Sequence, residues 1–157
     1  MRAPVPEAEA VRLYLEDLRV GQRFETADCE VSEADIVAFA ARFDPQPFHV
    51  DAGAARDSVF GGVVASGWHT AAITMRLLVE SGPRLAGGTV GLGAEISWPK
   101  PVRPGDVLHV VAEIVDIEPS RSRPGRGRAT MRSETRNQHG EVLQILTAKL
   151  VVPRRVK

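Results

Sequence analysis

The spacing of apolar and polar residues changes near the middle of the chain. Up to about residue 82, apolar positions recur every three or four residues, the repeat of a helix with one buried face. From about Gly88 onward they alternate with polar positions, as in a β-strand with one buried face. The pattern therefore predicts a helical region followed by consecutive strands.

The first long helix is expected directly after a strand over residues 22–31. Ser32 is a suitable cap residue, and acidic residues follow it in the first turn, where the helix dipole favours them. Asp44-Pro45 should end the helix, because the residue before a proline avoids helical backbone. A short helix is also expected over residues 51–57.

The second long helix is expected to begin near Ser66 or Gly67 and to end at Gly82-Pro83. Ile73 and Leu77 extend its apolar surface, so the helix is predicted to be mostly buried. Its apolar stripe consists of Trp68, Ala71, Ala72, Met75, Leu78 and Val79.

About four antiparallel strands should follow, separated by turns at residues 103–106, 119–127 and 137–140, where proline and glycine cluster. The last strand should bury Val142, Leu146, Ala148, Leu150 and Val152. A helix that is apolar almost all round needs a surface to cover it. We therefore predict an α+β fold in which a curved antiparallel sheet wraps around the long central helix.

Composition limits the classes of function. The chain has 157 residues, with 20 basic and 20 acidic side chains, so no net field attracts nucleic acid or an anionic membrane. We expect one domain over residues 11–153 after a variable leader, 1–10. Cys29 is the sole cysteine and cannot form an intramolecular disulfide, and no stretch resembles a signal peptide or a membrane span. These features predict a cytoplasmic protein.

The candidate chemistry lies between the two long helices. Asp44 and His49 are five residues apart, and two prolines should hold the segment from Pro45 to Phe48 stiff and extended. A carboxylate and an imidazole held about one water molecule apart can bind that water between them, one group accepting its proton while the other delivers a proton to a carbon. This is what hydration of a double bond conjugated to a thioester requires.

The same reaction needs stabilisation of negative charge on the thioester oxygen. The start of the second long helix can supply it, because the backbone N–H groups near Ser66 and Gly67 have no acceptor within the helix. Gly67 also lacks a side chain that would block the approach of a ligand.

Four sequence motifs resemble the MaoC-like, (R)-specific enoyl-CoA hydratase family over roughly residues 11 to 153. They are Asp44-Pro45-Gln46-Pro47-Phe48-His49, the helix entry Val63-Val64-Ala65-Ser66-Gly67, the strand entry Pro101-Val102-Arg103-Pro104-Gly105-Asp106, and the final hairpin Asn137-Gln138-His139-Gly140-Glu141. Gln46 stands where the family usually has asparagine, Phe43 replaces a frequent glycine, and Ser66 replaces a common histidine. These departures leave the catalytic pair intact.

The resemblance implies a hot-dog fold, which is the arrangement predicted above, and a homodimer, with further association left open. It implies that Asp44 and His49 catalyse reversible hydration of a 2-enoyl-CoA to an (R)-3-hydroxyacyl-CoA, with the Gly67 amide in the oxyanion hole. No cofactor beyond the coenzyme A of the substrate, and no metal, is expected. Substrate-binding positions are expected at Phe48, Val64 and Ser66.

Two other functions stay open at this point. Thioesterases share the hot-dog fold, although they generally lack the Asp–His pair. A non-catalytic acyl-CoA-binding or dimerisation module would use Asp44 and His49 only to brace a loop, and an aspartate before a proline is typical of a turn that ends a helix.

Other polar and aromatic residues are expected to be structural. His69 is predicted to be a hydrogen-bonded core or interface histidine, with a place in the active cleft as the alternative. Trp68 and Trp98 are expected in the core or in a dimer contact. Arg121, Arg123, Arg126 and Arg128 should form a solvated hairpin, with contacts to coenzyme A phosphates as the alternative.

Overall fold

A computed structural model describes residues 11–156, and the predicted leader, 1–10, lies outside them. A short 3₁₀ helix (Leu15–Asp17) precedes the α-helices α1 (Glu33–Phe43), α2 (Pro47–Val50), α3 (Ala52–Arg56) and α4 (Gly67–Ser81). The strands are β1 (Arg23–Glu25), β2 (Cys29–Glu30), β3 (Val90–Ser97), β4 (Val107–Pro119), β5 (Arg126–Arg136) and β6 (Val142–Pro153). Within residues 11–156, no helix has the length and apolar character that crossing a membrane requires.

The strands form one antiparallel sheet in the order β1-β4-β5-β6-β3, with β2 pairing on β4. The four strands predicted after the second long helix are therefore confirmed. The single strand expected over residues 22–31 is wrong, because it is divided into β1 and β2. Between them the Thr26 hydroxyl accepts the N–H of Val110, and Ala27 N–H donates to Ser81 Oγ, so the backbone leaves the sheet ladder.

One side of α4 packs on the inner face of the sheet. Leu77 and Leu78 lie in a cluster with buried side chains of the long strands: Val110, Ala112, Ile114, Ala129, Met131, Leu150 and Val152. Burial alternates along β5, which confirms the predicted period of two. The long helix is thus attached to the sheet by apolar burial.

A second apolar cluster lies under the helical segment between β2 and α4. Ile36 of α1 and Ala55 of α3 pack there with Leu108 and Leu143 of the sheet. Leu143 was not expected in the core. A bulge in the pairing of β5 with β6, between Thr135 and Arg136, shifts the phase of β6 so that Leu143 is buried and Val142 is only half-buried.

The prediction that α4 is mostly buried is wrong. Trp68, Met75 and Val79 are exposed, because the sheet covers only one side of the helix. Trp68 contacts Trp98, just beyond β3, and Val79 lines a cavity with residues just before β3. Among residues 11–156, β3 pairs only with β6, and it exposes Val90 and Leu92. We call Trp68, Met75, Val79, Val90, Leu92 and Trp98 the outer apolar face.

Candidate active site

Helix α1 carries the candidate carboxylate at its end. Ser32 caps the helix by accepting the Asp35 N–H at 3.1 Å, as the sequence predicted. The helix ends at Asp44, whose N–H donates to Ala40 O at 2.8 Å. The Asp44 side chain is 18% exposed, so its carboxylate is accessible from the surface.

The segment after Asp44 turns earlier than predicted. It was expected to be extended from Pro45 to Phe48, but helix α2 (Pro47–Val50) begins within it. A proline at the first helical position has a suitable φ and needs no N–H partner, so Pro47 starts the turn that it was expected to prevent. His49 N–H donates to Gln46 O at 2.9 Å, and this turn brings the imidazole back towards Asp44.

The structure brings Asp44 and His49 into direct contact. His49 Nε2 lies 3.2 Å from Asp44 Oδ2, and His49 Nδ1 lies 2.6 Å from the Val64 carbonyl oxygen. A carbonyl oxygen only accepts, so Nδ1 carries a proton, and a proton on Nε2 as well satisfies the contact with the carboxylate. The imidazolium form therefore fits both contacts. At this separation no water fits between the two groups, contrary to expectation, and a reacting water has to lie beside them.

Two further hydrogen bonds hold the Asp44 carboxylate. Ser66 Oγ donates to Oδ2 at 2.7 Å, and Gln46 Nε2 donates to Oδ1 at 2.7 Å. The Ser66 hydroxyl is the largest cause that lowers the pKa of Asp44, and Gln46 and the charge on His49 lower it further, against the opposing effect of burial. Asp44 is therefore held as the carboxylate.

Ser66 also connects the pair to the start of α4. Its hydroxyl oxygen accepts the Trp68 N–H at 3.3 Å as the helix cap. The Gly67 N–H follows directly and is one of the first N–H groups of the helix, which have no acceptor within it. An amide suited to binding an oxyanion thus follows the residue that bonds the carboxylate.

The reason for glycine at position 67 differs from the one inferred from sequence. A Cβ on Gly67 would lie 2.5 Å from a ring carbon of Trp98. The space that was expected to admit a ligand is filled by this indole. Trp98 is therefore a neighbour of the candidate oxyanion hole, a role that its strand-end position did not reveal.

The remaining expected site residues contribute in different ways. Phe48 packs edge-on against the His49 ring, with centroids 4.5 Å apart, and also against Phe60. Val64 is buried, and its carbonyl orients His49. Gln46 was noted only as a departure from the motif, and its bond to Asp44 could have been suspected from its place two residues further on.

His69 is buried as expected, but it differs from a hydrogen-bonded core histidine. It is 8% exposed and stacks on Phe39 with ring centroids 4.6 Å apart, yet in the part of the chain that the structure describes its Nδ1 has no hydrogen-bond partner. Burial lowers the pKa of His69, and the charge on Asp35 opposes this shift. The ring is thus held towards its neutral form.

The charged side chains outside the Asp44–His49 pair include one arginine-rich hairpin. Over residues 11–156, no group of three or more His, Cys, Asp or Glu side chains is placed to hold a metal ion. In the arginine-rich hairpin, Arg128 bonds Glu118, and Arg121, Arg123 and Arg126 are exposed, as in a solvated hairpin.

Several known proteins are similar to this chain in sequence and in fold. A family model described as MaoC like domain matches residues 17–137. The crystal structure of a MaoC-like dehydratase from Rhodospirillum rubrum is 61% identical, with a TM-score of 0.90 over 92% of this chain and 99% of that chain. This match confirms the predicted hot-dog fold, a curved sheet around a long helix.

Two relatives differ in what is known of them. A 3-hydroxybutyryl-CoA dehydratase of Methylorubrum extorquens is 36% identical over 113 residues, which are 71% of this chain and 69% of that protein. The uncharacterized protein YdeM of Bacillus subtilis is 39% identical over 116 residues, 72% of this chain and 81% of that protein.

Proposed function

The chain belongs to the MaoC-like domain family, and from that premise we propose that it adds water reversibly to a 2-enoyl-CoA to give an (R)-3-hydroxyacyl-CoA. The observation that carries the proposal is the contact of the Asp44 carboxylate with His49 Nε2 at 3.2 Å, beside the capped start of α4. The dehydratase of Methylorubrum extorquens supports the substrate class. Coenzyme A enters only as part of the substrate, and no other cofactor takes part.

The protonation of the pair assigns the two proton transfers. Asp44, held as the carboxylate, accepts one proton from water while the water oxygen forms a bond to the β-carbon. His49 Nε2 delivers a proton to the α-carbon on the same face, and the double bond is consumed. Asp44 then returns its proton to Nε2 across their contact, which restores both groups. Dehydration is the same sequence in reverse.

Negative charge develops on the thioester oxygen before the α-carbon is protonated. We assign the Gly67 N–H to this oxygen, because the amide is at the positive end of a 15-residue helix. Ser66 holds the attacking carboxylate, while Phe48 and Val64 complete the substrate-binding positions next to His49. The acyl group would then lie along the start of α4.

The proposal is tested by following the enoyl-thioester absorbance with short, long, branched and dicarboxylic 2-enoyl-CoAs. Asp44→Asn and His49→Ala should each lower kcat about 10²- to 10⁴-fold, the range for a positioned acid or base. His139→Ala, in an exposed turn, is the matched control and should keep full activity. Full activity in either site variant removes that residue from the mechanism. Release of free thiol without loss of the double bond would instead identify a thioesterase.

We propose a homodimer formed through the outer apolar face. Among residues 11–156, β3 pairs along one edge with β6, with a bulge at Leu92, and along its other edge with no strand; an exposed apolar strand edge is a template for pairing with a second chain. Leu92→Lys should shift the protein to monomer in light scattering, because it puts a charge where a side chain 62% exposed in the isolated chain would be covered. Val59→Lys, at a position 95% exposed in a loop, is the control. A dimeric Leu92→Lys protein would exclude this interface.

Two expectations about the whole chain stay part of the proposal. One is a single domain over residues 11–153. The family model matches residues 17–137, and β6 pairs within the same sheet as the strands of that range, which supports this expectation. The other is a cytoplasmic location, which the free thiol of Cys29 suits.

A further inference from the structure

We propose that Gln144 is a positioning residue that, through Trp98, fixes the start of α4 and the Gly67 amide against the sheet. The inference rests on the proposed function, because it gives the Gly67 amide the role of oxyanion donor. We call the connected set Gly67, Trp98, Gln144 and Thr74 the clamp.

The first contact of the clamp is between Trp98 and Gly67. The ring carbons Cε2, Cζ2 and Cδ2 of Trp98 lie 2.5 to 2.9 Å from where a Cβ of Gly67 would be. The ring therefore touches the backbone of Gly67 itself. Trp98 also meets the Trp68 ring edge-on, with centroids 5.5 Å apart, and its indole N–H makes one further, directional contact.

Gln144 supplies that contact. Trp98 Nε1 donates to Gln144 Oε1 at 3.0 Å. An indole N–H only donates, so Gln144 has to present its oxygen to Trp98 and its NH₂ group to the opposite side. Gln144 is completely buried, so an unmade hydrogen bond at either end of its amide would carry a full desolvation cost.

The NH₂ group of Gln144 donates to the Thr74 hydroxyl, which makes all three of its possible hydrogen bonds. Gln144 Nε2 donates to Thr74 Oγ1 at 3.0 Å, and Thr74 Oγ1 donates to Thr70 O at 2.9 Å. Thr135 Oγ1, at 2.6 Å, then has to be the donor to the remaining lone pair of Thr74. This arrangement leaves one orientation of the Gln144 amide.

The clamp closes on α4. Gly67 and Thr74 are seven residues apart, and residues with that spacing lie on the same side of a helix. Gln144 therefore holds the helix at two points, directly at Thr74 and through Trp98 at Gly67. Apolar packing is not directional and tolerates small shifts along the sheet, whereas two hydrogen bonds do not. The clamp thus sets the position of the Gly67 amide relative to the sheet.

The test compares Gln144→Met with Leu150→Ala. The first variant keeps the length of the side chain and removes both hydrogen bonds, whereas the second creates a cavity in the same strand, in the first apolar cluster and outside the clamp. Gln144→Met should lower kcat about 10- to 100-fold, the cost of a displacement near 1 Å, and change KM by less than about threefold. Leu150→Ala should lose stability while kcat changes by less than about twofold.

Two resonances in ¹H–¹⁵N spectra report the clamp without any substrate. In Gln144→Met the indole N–H signal of Trp98, assigned with Trp68→Phe, should move upfield, and the Gly67 amide signal should shift as well. Leu150→Ala should leave both signals in place. An unmoved Gly67 amide, or a kcat equal to that of Leu150→Ala, overturns the proposal.

Two further outcomes are separable. If the wild-type chain hydrates no 2-enoyl-CoA, the proposed function fails, and the Gly67 signal still decides whether Gln144 positions that amide. If Gln144→Met does not fold, Trp98→Phe takes its place, because it removes the indole N–H and keeps an aromatic ring near Gly67. The same loss of kcat is expected, and full activity in Trp98→Phe overturns the proposal.

Discussion

The two halves of α4 are attached to the sheet by different interactions. The half near Gly67 buries Thr74, whose hydroxyl is hydrogen-bonded to Thr135 and Gln144 of the sheet. The half near Ser81 buries Leu77 and Leu78 in the apolar cluster. Hydrogen bonds specify direction and distance, whereas apolar burial depends mainly on area. The hydrogen bonds at the start of the helix thus fix its position on the sheet, whereas the apolar contacts at its end mainly stabilise the fold.

The difference coincides with the location of the candidate chemistry. Ser66, which caps the polar half, bonds Asp44, and no residue of the apolar half belongs to the candidate site. A catalytic group has to be placed to within about 0.5 Å, which requires supporting hydrogen bonds in addition to packing. Substitutions in the two halves should therefore separate activity from stability.

The largest effect on stability is expected for Leu78→Ala. Leu78 is buried in the main cluster, and the cavity should lower the free energy of unfolding by about 2–5 kcal/mol. Urea unfolding measures this loss. At a temperature where the variant is folded, kcat should stay within about twofold. A large loss of kcat would show that the apolar half also positions the site, and would break the comparison.

A smaller loss of stability and a larger loss of activity are expected for Thr74→Val. The substitution nearly keeps the shape and leaves the buried Gln144 Nε2 and the Thr135 hydroxyl without their partner, at about 1–3 kcal/mol. Because the clamp is broken, kcat should fall as in Gln144→Met. A variant that loses stability alone would place Thr74 with the apolar half.

The smallest effect on stability is expected for Ser32→Ala, which serves as the comparison for Ser66→Ala. Both remove a helix cap, worth about 1 kcal/mol, but only Ser66 bonds Asp44. Ser66→Ala should raise the pKa of Asp44 towards its ordinary value, since the hydroxyl is the largest cause of its lowering. The acid limb of the pH profile of kcat/KM should then move to higher pH. Ser32→Ala should leave that limb in place.

The stability of the two variants should also differ with pH. The folded pKa of Asp44 is below its unfolded value, so this group stabilises the fold above the unfolded pKa and loses the effect as pH falls through the folded pKa. In Ser66→Ala the folded pKa of Asp44 lies closer to its unfolded value, so acidification through that range removes less stability. Urea unfolding across it should therefore show a weaker pH dependence than in Ser32→Ala. Equal slopes would mean that Asp44 is held mainly by other groups.

Features set by neighbours in sequence were predictable. The ends of α1 and α4 follow from Ser32, Asp44-Pro45 and Gly82-Pro83, and the strands of the second half follow from their alternation. Predictions failed where distant contacts outweigh local preference. α4 exposes Trp68 because the sheet covers one side only, and β1 ends where Thr26 replaces a ladder bond.

The candidate site divides in the same way. The spacing of Asp44 and His49 predicted that they converge, and α2 brings them together over a few residues. The bond from Ser66 to Asp44 spans 22 residues, and the bond from Trp98 to Gln144 spans 46. No local pattern marks such pairs, since a lone glutamine in a strand indicates neither its burial nor its partners.

The sequence alone determined the two long helices, the four long strands and the two side chains that can share a proton, because helix caps, prolines and residue periodicity act within a few residues. Only the tertiary structure decided how the start of α4 is held, with Trp98 against Gly67 and Ser66 against Asp44. The physical reason is that these contacts join segments far apart in sequence. Their geometry depends on the relative placement of whole elements, which residue spacing does not encode.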